Sequence, residues 1–343
     1  MKKSVLLGAA TLAAGAMLAH TAGAAGLADV YGGKTITIIY GYGSGGTYGK
    51  TSILLSRHLG KFIPGNPTVI TQSMPGAGGL KSANYAYNAM PKTGLFLLMP
   101  PDMSIVSQLL RPKKVKYDVR NFIWLGRVFG SNNMTVVRRD TGIRTIQDAM
   151  KREVVMGSTG MGSPTFIVTS LLNGLVGTKF KIVKGYKGSA RTKQAMEQGE
   201  VKGVSLAWAS WKSDKAAWFE GPDSFALPLA QNGFTAEKDW PNIPLIRDLV
   251  TTPGARAAAD MIATNSLLGR GLVLPPGVPR EIVAPLRAAF WKAVNSPGFT
   301  AEAIRTRLPL QPMRAVDIHK TVNRVLKMSP TAVAAARKAI FGS

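Results

Sequence analysis

After Lys34 the chain alternates β-branched runs with amphipathic stretches. Lys34-Thr35-Ile36-Thr37-Ile38-Ile39-Tyr40 predicts a strand, and a Gly-rich loop follows it. Ile53, Leu54, Arg57 and Leu59 then open a helical pattern. Pro67 to Thr71 predicts a second strand, Pro75-Gly76-Ala77-Gly78-Gly79 a turn, and a helix runs on through Tyr87. Leu95 to Met99 predicts a third strand, stopped by Pro100-Pro101. Val154 to Met156 is a short buried strand before the loop 157–163, and Pro164 stands where a helix starts, with Ile167, Leu171 and Leu172 on its apolar face. Further strands are predicted at 180–183, 201–208, 225–229 and 272–274, with a helix at 189–198. The last part is helical over 279–295, 300–307, 315–327 and 331–340, and Pro285 lies in the first turns of its helix or kinks it.

Repeated strand–loop–helix units define an α/β protein with parallel-rich sheets flanked by helices. Ligands of such sheets bind where loops leave the carboxyl ends of strands. The Gly/Ser/Thr loops 41–49 and 157–163 occupy two such positions, and their separation suits one loop from each of two domains.

The N-terminus changes the picture. Lys2 and Lys3 precede an apolar stretch from Ser4 to Leu18, and Ala22-Gly23-Ala24 is a small-residue cleavage site. This reads as a secretory signal peptide over 1–24. No later stretch has the roughly 18 uncharged apolar residues of a spanning helix, so the expected product is a soluble protein outside the cytoplasm. With no cysteine, disulfide scaffolds, thiolate metal sites and cysteine nucleophiles are excluded. Histidines occur only at His20, His58 and His319, too scattered for a His-based metal site or triad.

Charge is the strongest compositional signal: 43 Lys+Arg against 18 Asp+Glu, a net +25. Such a chain suits polyanions, anionic membrane surfaces or small acidic ligands. Between Asp29 and Asp102 there is no acid at all, while Lys34, Lys50, Arg57, Lys61, Lys81 and Lys92 fall in that span. The local field therefore favours an anion.

Gly41-Tyr42-Gly43-Ser44-Gly45-Gly46 fits G-x-G-x-x-G between a strand and a helix. A dinucleotide site also needs an acid about 20 residues on for the ribose, and none is present. Gly49-Lys50-Thr51 imitates the end of a P-loop, but the glycine that motif requires is Ser44. What remains is general: free backbone N–H groups at a helix N-terminus bind anions. Thr159-Gly160-Met161-Gly162-Ser163 repeats the arrangement, and Tyr186-Lys187-Gly188-Ser189 is a third such junction. Trp208 and Trp211 follow the next strand, where they wall a pocket or fill the core. Ser158 and Ser163 have no G-x-S-x-G setting and no base, so no catalytic constellation is visible. Nucleic-acid binding rests on net charge alone, since the basic runs stop at Lys113-Lys114 and Arg138-Arg139.

Taken together, these residues resemble the periplasmic substrate-binding proteins of tripartite tricarboxylate transporters over nearly the whole exported chain. The resemblance rests on five motifs in order. They are the Gly45-Gly46 loop; Met74-Pro75-Gly76-Ala77-Gly78-Gly79 with Lys92-Thr93-Gly94 beyond it; Gly157-Ser158-Thr159-Gly160-Met161-Gly162-Ser163; Gly185-Tyr186-Lys187-Gly188 with Gly199-Glu200-Val201; and Leu274-Pro275-Pro276-Gly277-Val278-Pro279.

The resemblance implies a two-domain periplasmic-binding-protein (flytrap, type II) fold without catalysis, cofactor or metal. Domain one is expected over 25–129 plus 268–343 and domain two over 130–267, with crossings near Gly130-Ser131 and Leu267–Arg270. The ligand would be a small carboxylate held between domains by backbone amides and hydroxyls. One wall would carry Tyr40, Gly45, Gly46, Thr47 and Tyr48, the other Ser158, Thr159, Gly160, Gly162, Ser163, Tyr186 and Trp208, and Met103-Ser104 would close the end. Partners implied are the membrane subunits of the transporter, with a monomer as the expected state and no nucleic acid. One departure stands out: where the family often has Asp and Arg after the Gly-Gly pair, this chain has Gly49 and Ile53. In the family that Asp contacts ligand amino groups, so its loss favours a plain carboxylate or a changed ligand. Two other classes stay open, an exported α/β hydrolase-like enzyme and a basic surface protein that binds polyanions.

Overall fold

The computed structural model describes residue 26 and residues 28–342. The signal peptide read at 1–24 and His20 lie outside the described residues. Among the described residues no helix is long and apolar enough to cross a membrane.

The strands are β1 (Thr35–Tyr40), β2 (Thr68–Ser73), β3 (Phe96–Met99), β4 (Ile123–Phe129), β5 (Asn133–Arg138), β6 (Glu153–Ser158), β7 (Lys179–Lys184), β8 (Gly203–Ala207), β9 (Ala226–Asn232), β10 (Arg270–Leu274) and β11 (Met313–Arg314). They form two sheets, ordered β11-β4-β10-β3-β1-β2 and β7-β6-β8-β5-β9. In the first, β1 pairs in parallel with β2 and β3, and β10 runs antiparallel between β3 and β4. In the second, β6 is parallel to β7 and β8, while β5 is antiparallel to β8 and β9. Both sheets are therefore mixed. The antiparallel members β4, β5 and β10 flank the places where the chain passes from one sheet to the other.

Each sheet is covered on both faces, so central strands such as β8 and β10 are buried at every position. Side chains alternate between the faces. Ile38, Leu97 and Leu272 pack with Leu55, Leu286 and Phe290 on one side of the first sheet. Their neighbours Ile39, Leu98 and Val273 pack with Leu80, Ile318 and Val322 on the other. In the second sheet Val137 and Met156 face Leu171 and Ile262, while Val136 and Val204 face Trp208 and Trp211.

The chain passes from β4 to β5 within residues 130–132 and returns from β9 to β10 after the helices Pro253–Ala263 and Asn265–Leu268. The two passages lie side by side, joined by a hydrogen bond from Ser131 N to Ser266 O of 3.2 Å. Gly269 has φ +52°, and a Cβ there would run into the carbonyl of Phe129, so no other residue fits this approach.

The C-terminal helix departs from the expectation that all of 268–343 belongs with the first sheet. Helix Ala315–Leu326 does pack on that sheet through Ile318, Val322 and Val325. Helix Pro330–Phe341 instead crosses over and seats Ala336 and Ile340 in the core of the second sheet. Phe341 stacks on Phe166 with ring centroids 6.1 Å apart, and Arg337 Nη2 donates to Leu109 O at 3.1 Å. The physical reason is a small-residue face on this helix meeting Gly174 of helix Pro164–Val176, where any Cβ would collide with the Ala339 backbone.

Gly174→Val should thus push the last helix off its seat, lowering stability by about 1–3 kcal/mol as overpacking does. Thermal denaturation with limited proteolysis after Lys327 reads this, and an unchanged melting temperature with no new cleavage would show that the close approach is dispensable.

Candidate functional site

Four helices begin at one cavity between the two sheets. Helix Thr47–His58 follows the glycine loop after β1, helix Pro164–Val176 the loop after β6, helix Ser189–Glu197 the turn after β7, and helix Trp208–Lys215 follows β8 directly. None has an acidic residue in its first turn, and in none does an N-cap side chain accept from a backbone N–H of the helix. A helix N-terminus presents orphan N–H groups and about half a positive charge. Thr47, Pro164, Thr165, Ser189 and Ser210, all from these first turns, line the cavity. Tyr42, Gly46, Tyr48, Asp102 and Arg270 complete the wall on the first sheet's side, and Asn133, Thr159, Leu206 and Ala207 complete the other.

Arg270, the first residue of β10, is the fixed cation of this cavity, with 5% of its surface exposed. Its Nη1 donates to Asp102 Oδ2 at 3.0 Å. Its Nη2 and Nε reach Thr47 Oγ1 at 3.0 and 3.3 Å. The guanidinium lies over the Tyr48 ring at 3.8 Å from the centroid, a stacked cation–π geometry. Tyr48 in turn accepts from Asp102 N at 2.8 Å. Burial acts to lower the Arg270 pKa, but the neighbouring Tyr48 and Asp102 outweigh it, and the net direction is upward. Burial also pushes the Tyr48 and Tyr42 hydroxyls well above their ordinary value, so both are neutral donors. The rings of Tyr42 and Tyr48 sit 4.4 Å apart, and Tyr42 donates to Gly78 O at 2.9 Å.

The two halves touch around this cavity. Gly43 N donates to Lys187 O at 2.7 Å. A Cβ on Gly78 would lie 2.6 Å from Ser163 N, and one on Gly46 would collide with Ser189 Oγ. Lys50 of the first half pairs with Asp214 of the second. Asp214 also pairs with Lys193, whose ammonium donates to Ser210 O at 2.9 Å. Lys193 is only 2% exposed, and burial lowers its pKa from 10.5 to about 8 despite the attraction of Asp214.

Of the residues singled out from the sequence, Gly46, Thr47, Tyr48 and Thr159 line the cavity. Gly45 lies just behind, against Ala190. Ser158 and Ser163 act within their own loop, while Gly160 and Gly162 also meet the first half at Ala77 and Gly78. Ser158 and Ser163 hydroxyls meet Thr165 Oγ1 at 3.2 and 2.6 Å, Gly160 N donates to Ser158 Oγ, and Gly162 abuts Ala77. The structure keeps five others away from the cavity. Tyr40 is buried in the first core. Met103 is buried in the second, and Ser104 bonds Pro101 O. Tyr186 bonds Glu200. Trp208 turns its Nε1 to Asp239 at 2.7 Å, beside a separate and larger cleft with Lys212 and Arg307. Each of them ends or follows a strand at the right height but points its side chain to another face.

Asp102, Asn133, Ser189, Ser210 and Arg270 were missed as site residues. Asp102 carried a usable signal, as the first acid after a long acid-free span just past a strand. Arg270 carried none, because its neighbours in the cavity are more than 160 positions away in sequence. Among the described residues no group of three or more His, Asp or Glu could hold a metal ion.

Fold and site define a class: a two-domain α/β fold of the periplasmic-binding-protein type whose cavity between the sheets suits an anion. No family model matches the chain. A UPF0065 protein of Cupriavidus necator is 27% identical over 282 residues, covering 79% of this chain and 78% of the relative. The periplasmic binding protein BugD superposes with a TM-score of 0.70 at 14% identity, over 90% of this chain and 98% of its own. MatC of Rhodopseudomonas palustris, solved with malate, gives 0.69 at 17% identity over 88% and 99%. An R. palustris protein solved with adipate gives 0.68 at 18% over 88% and 97%. These likenesses agree with the resemblance read from the motifs, to the substrate-binding proteins of tripartite tricarboxylate transporters.

Two outcomes follow from the electrostatics. Arg270→Met should lower stability by about 3–5 kcal/mol, because it strands a buried carboxylate, whereas Arg270→Met with Asp102→Leu should recover most of that loss. Chemical denaturation of both variants checks this. Equal destabilisation by the single and double changes would mean that the pair is not the controlling contact. Lys193 loses its proton near pH 8 when folded but near 10.5 when unfolded. The unfolded state therefore binds more protons in that window, and this residue's contribution to stability rises with pH across it. Lys193→Met should flatten the rise in a pH series of melting temperatures, and an unaltered slope would contradict the assignment.

Proposed function

We propose that this protein is a periplasmic solute-binding receptor that captures a small organic carboxylate between its two halves and presents it to a tripartite tricarboxylate-type membrane transporter. It binds and does not catalyse. The observation that carries the reading is the convergence of four helix N-termini, free of acids and side-chain caps, on one cavity that also holds Arg270. Such a site offers several N–H donors and positive dipole ends to an anion without needing a free surface lysine. The bound malate and adipate of the structural neighbours support a carboxylate as the ligand class.

The domains that would close on the ligand are the first sheet with residues up to 129 and 268 to about 329, and the second with 130–267 and the last helix. The passages at 130–132 and 264–269 are the hinge. Ligand bridging both halves would favour the closed arrangement through its differential affinity. Export by the signal peptide and a monomeric state complete the proposal. The first half supplies Thr47 and the second Thr159, one hydroxyl from each wall.

A carboxylate ligand at about 100 times its dissociation constant should add roughly 2.7 kcal/mol, raising the melting temperature by a few degrees at either low or high salt. Thr159→Val should weaken binding several-fold, on the order of one lost neutral hydrogen bond, while the unliganded melting temperature stays within a few degrees. Calorimetry on the panel member that gives the largest shift reads the effect. A shift only with a polyanion at low salt, or none with any carboxylate, would remove this function.

A further inference from the structure

We infer that Asp102 and Asn133 select a hydroxyl group on the ligand, so that the solute is a hydroxycarboxylate rather than a plain carboxylate or an amino acid; this rests on the carboxylate-receptor reading above.

Asp102 and Asn133 line the same cavity and are 4% and 1% exposed. Asp102 uses Oδ2 on Arg270, while its Oδ1 has no hydrogen-bond partner. Asn133 has neither its Oδ1 nor its Nδ2 partnered. Three polar side chains beside Arg270 are already engaged: Thr47 by Arg270, Tyr48 by Asp102 N, and Tyr42 by Gly78. A buried polar atom without a partner is costly, and three of them on the wall of one cavity give a ligand there bonds to complete.

The chemistry of the three free atoms narrows the ligand. An ionised carboxylate oxygen can only accept, so Asp102 Oδ1 calls for a donor, which a bare carboxylate does not have. The donor could be an ammonium or a hydroxyl. Arg270 already answers the Asp102 charge, so an ammonium there would add an uncompensated positive charge before four positive helix ends, which oppose it. A hydroxyl carries no charge. It also accepts as well as donates, which uses Asn133 Nδ2 together with Asp102 Oδ1. The carboxylate of the same molecule then takes the helix N–H groups, and its carbon chain meets Leu206, Ala207 and Tyr42. Asn133 stands at the start of β5, next to the passage between the sheets, and Asp102 on the opposite half. A hydroxyl between them would thus also report closure.

The test compares matched acids on the intact exported protein by calorimetry: L-malate against succinate, L-lactate against propanoate, and L-aspartate as the ammonium counterpart of malate. In at least one matched pair the hydroxy acid should bind about tenfold or more tighter than its parent, since the parent leaves buried polar groups unpaired. L-aspartate should be weaker than L-malate. Asp102→Asn should bring the two members of the pair within about threefold. Where that variant fails to fold, Asn133→Ala should shrink the same ratio, and a ratio equal to that of the unaltered protein would overturn the inference. Parent and hydroxy acids binding equally overturns the inference and leaves the carboxylate receptor intact. Aspartate binding most tightly overturns it in favour of an amino-acid ligand. If no acid in the panel binds, the inference falls together with the receptor reading.

Discussion

The buried ion pair between Arg270 and Asp102 is the contact on which the site depends. Arg270 opens the strand that brings the chain back to the first sheet, and Asp102 follows β3 of the same sheet. Joined at 3.0 Å, they bind the returning strand to helix Thr47–His58 through Thr47 and the face of Tyr48. Two charges taken out of water gain little net stability even when well paired, but either one alone is strongly unfavourable. The pair therefore acts as a constraint. Wherever Arg270 goes, Asp102, Thr47 and Tyr48 must go as well, which fixes the floor of the cavity next to the passage between the two sheets.

The rest of the site is built on that floor by backbone rather than by charged side chains. The helices at 47, 164, 189 and 208 approach from both sheets, and each leaves its first N–H groups without an acidic neighbour. Arg270 is neutralised by Asp102, so the field in the cavity comes mainly from dipoles. Dipoles fixed by folding need no rearrangement when an anion arrives, and they recognise the shape of the anion as much as its charge. The large positive excess of the chain lies largely elsewhere. Its exposed lysines and arginines shape the field felt at a distance, and salt screens that field over a Debye length of roughly 10 Å.

Closure has its own physical requirements. The loops of the two halves meet backbone to backbone, and at Gly46 and Gly78 there is no room for a side chain. Around this contact Lys50 reaches across to Asp214, which Lys193 holds from behind. The last helix, Pro330–Phe341, adds a second tie, because it starts from the first half and packs on the other. The two passages at 130–132 and 264–269 run together and are bonded to each other, and the chain crosses a third time before the last helix.

Much of this was legible in the sequence because it is encoded locally. The strands β1, β2, β3, β6 and β7 announce themselves as β-branched or apolar runs, and the helices after them as patterns beginning at Gly, Ser or Pro. The glycine loops at 41–49 and 157–163 follow from the same logic, and they do meet at the cavity. What the sequence could not convey are features that exist only between distant segments. The antiparallel strands β4, β5 and β10 make both sheets mixed, a pairing choice that no local pattern states. The last helix joins the second half because Gly174 leaves space for it. Tyr40, Met103, Tyr186 and Trp208 sit at the heights expected of site residues, yet packing turns them away. Arg270 reads as an ordinary charge at the edge of a strand until folding sets it beside Asp102, Thr47 and Tyr48. Sequence alone determined the elements, their order and the glycine-lined helix starts, because these depend on periodicity and backbone freedom. Tertiary structure alone decided which side chains share the cavity, because that depends on desolvation and pairing across more than 160 positions of chain.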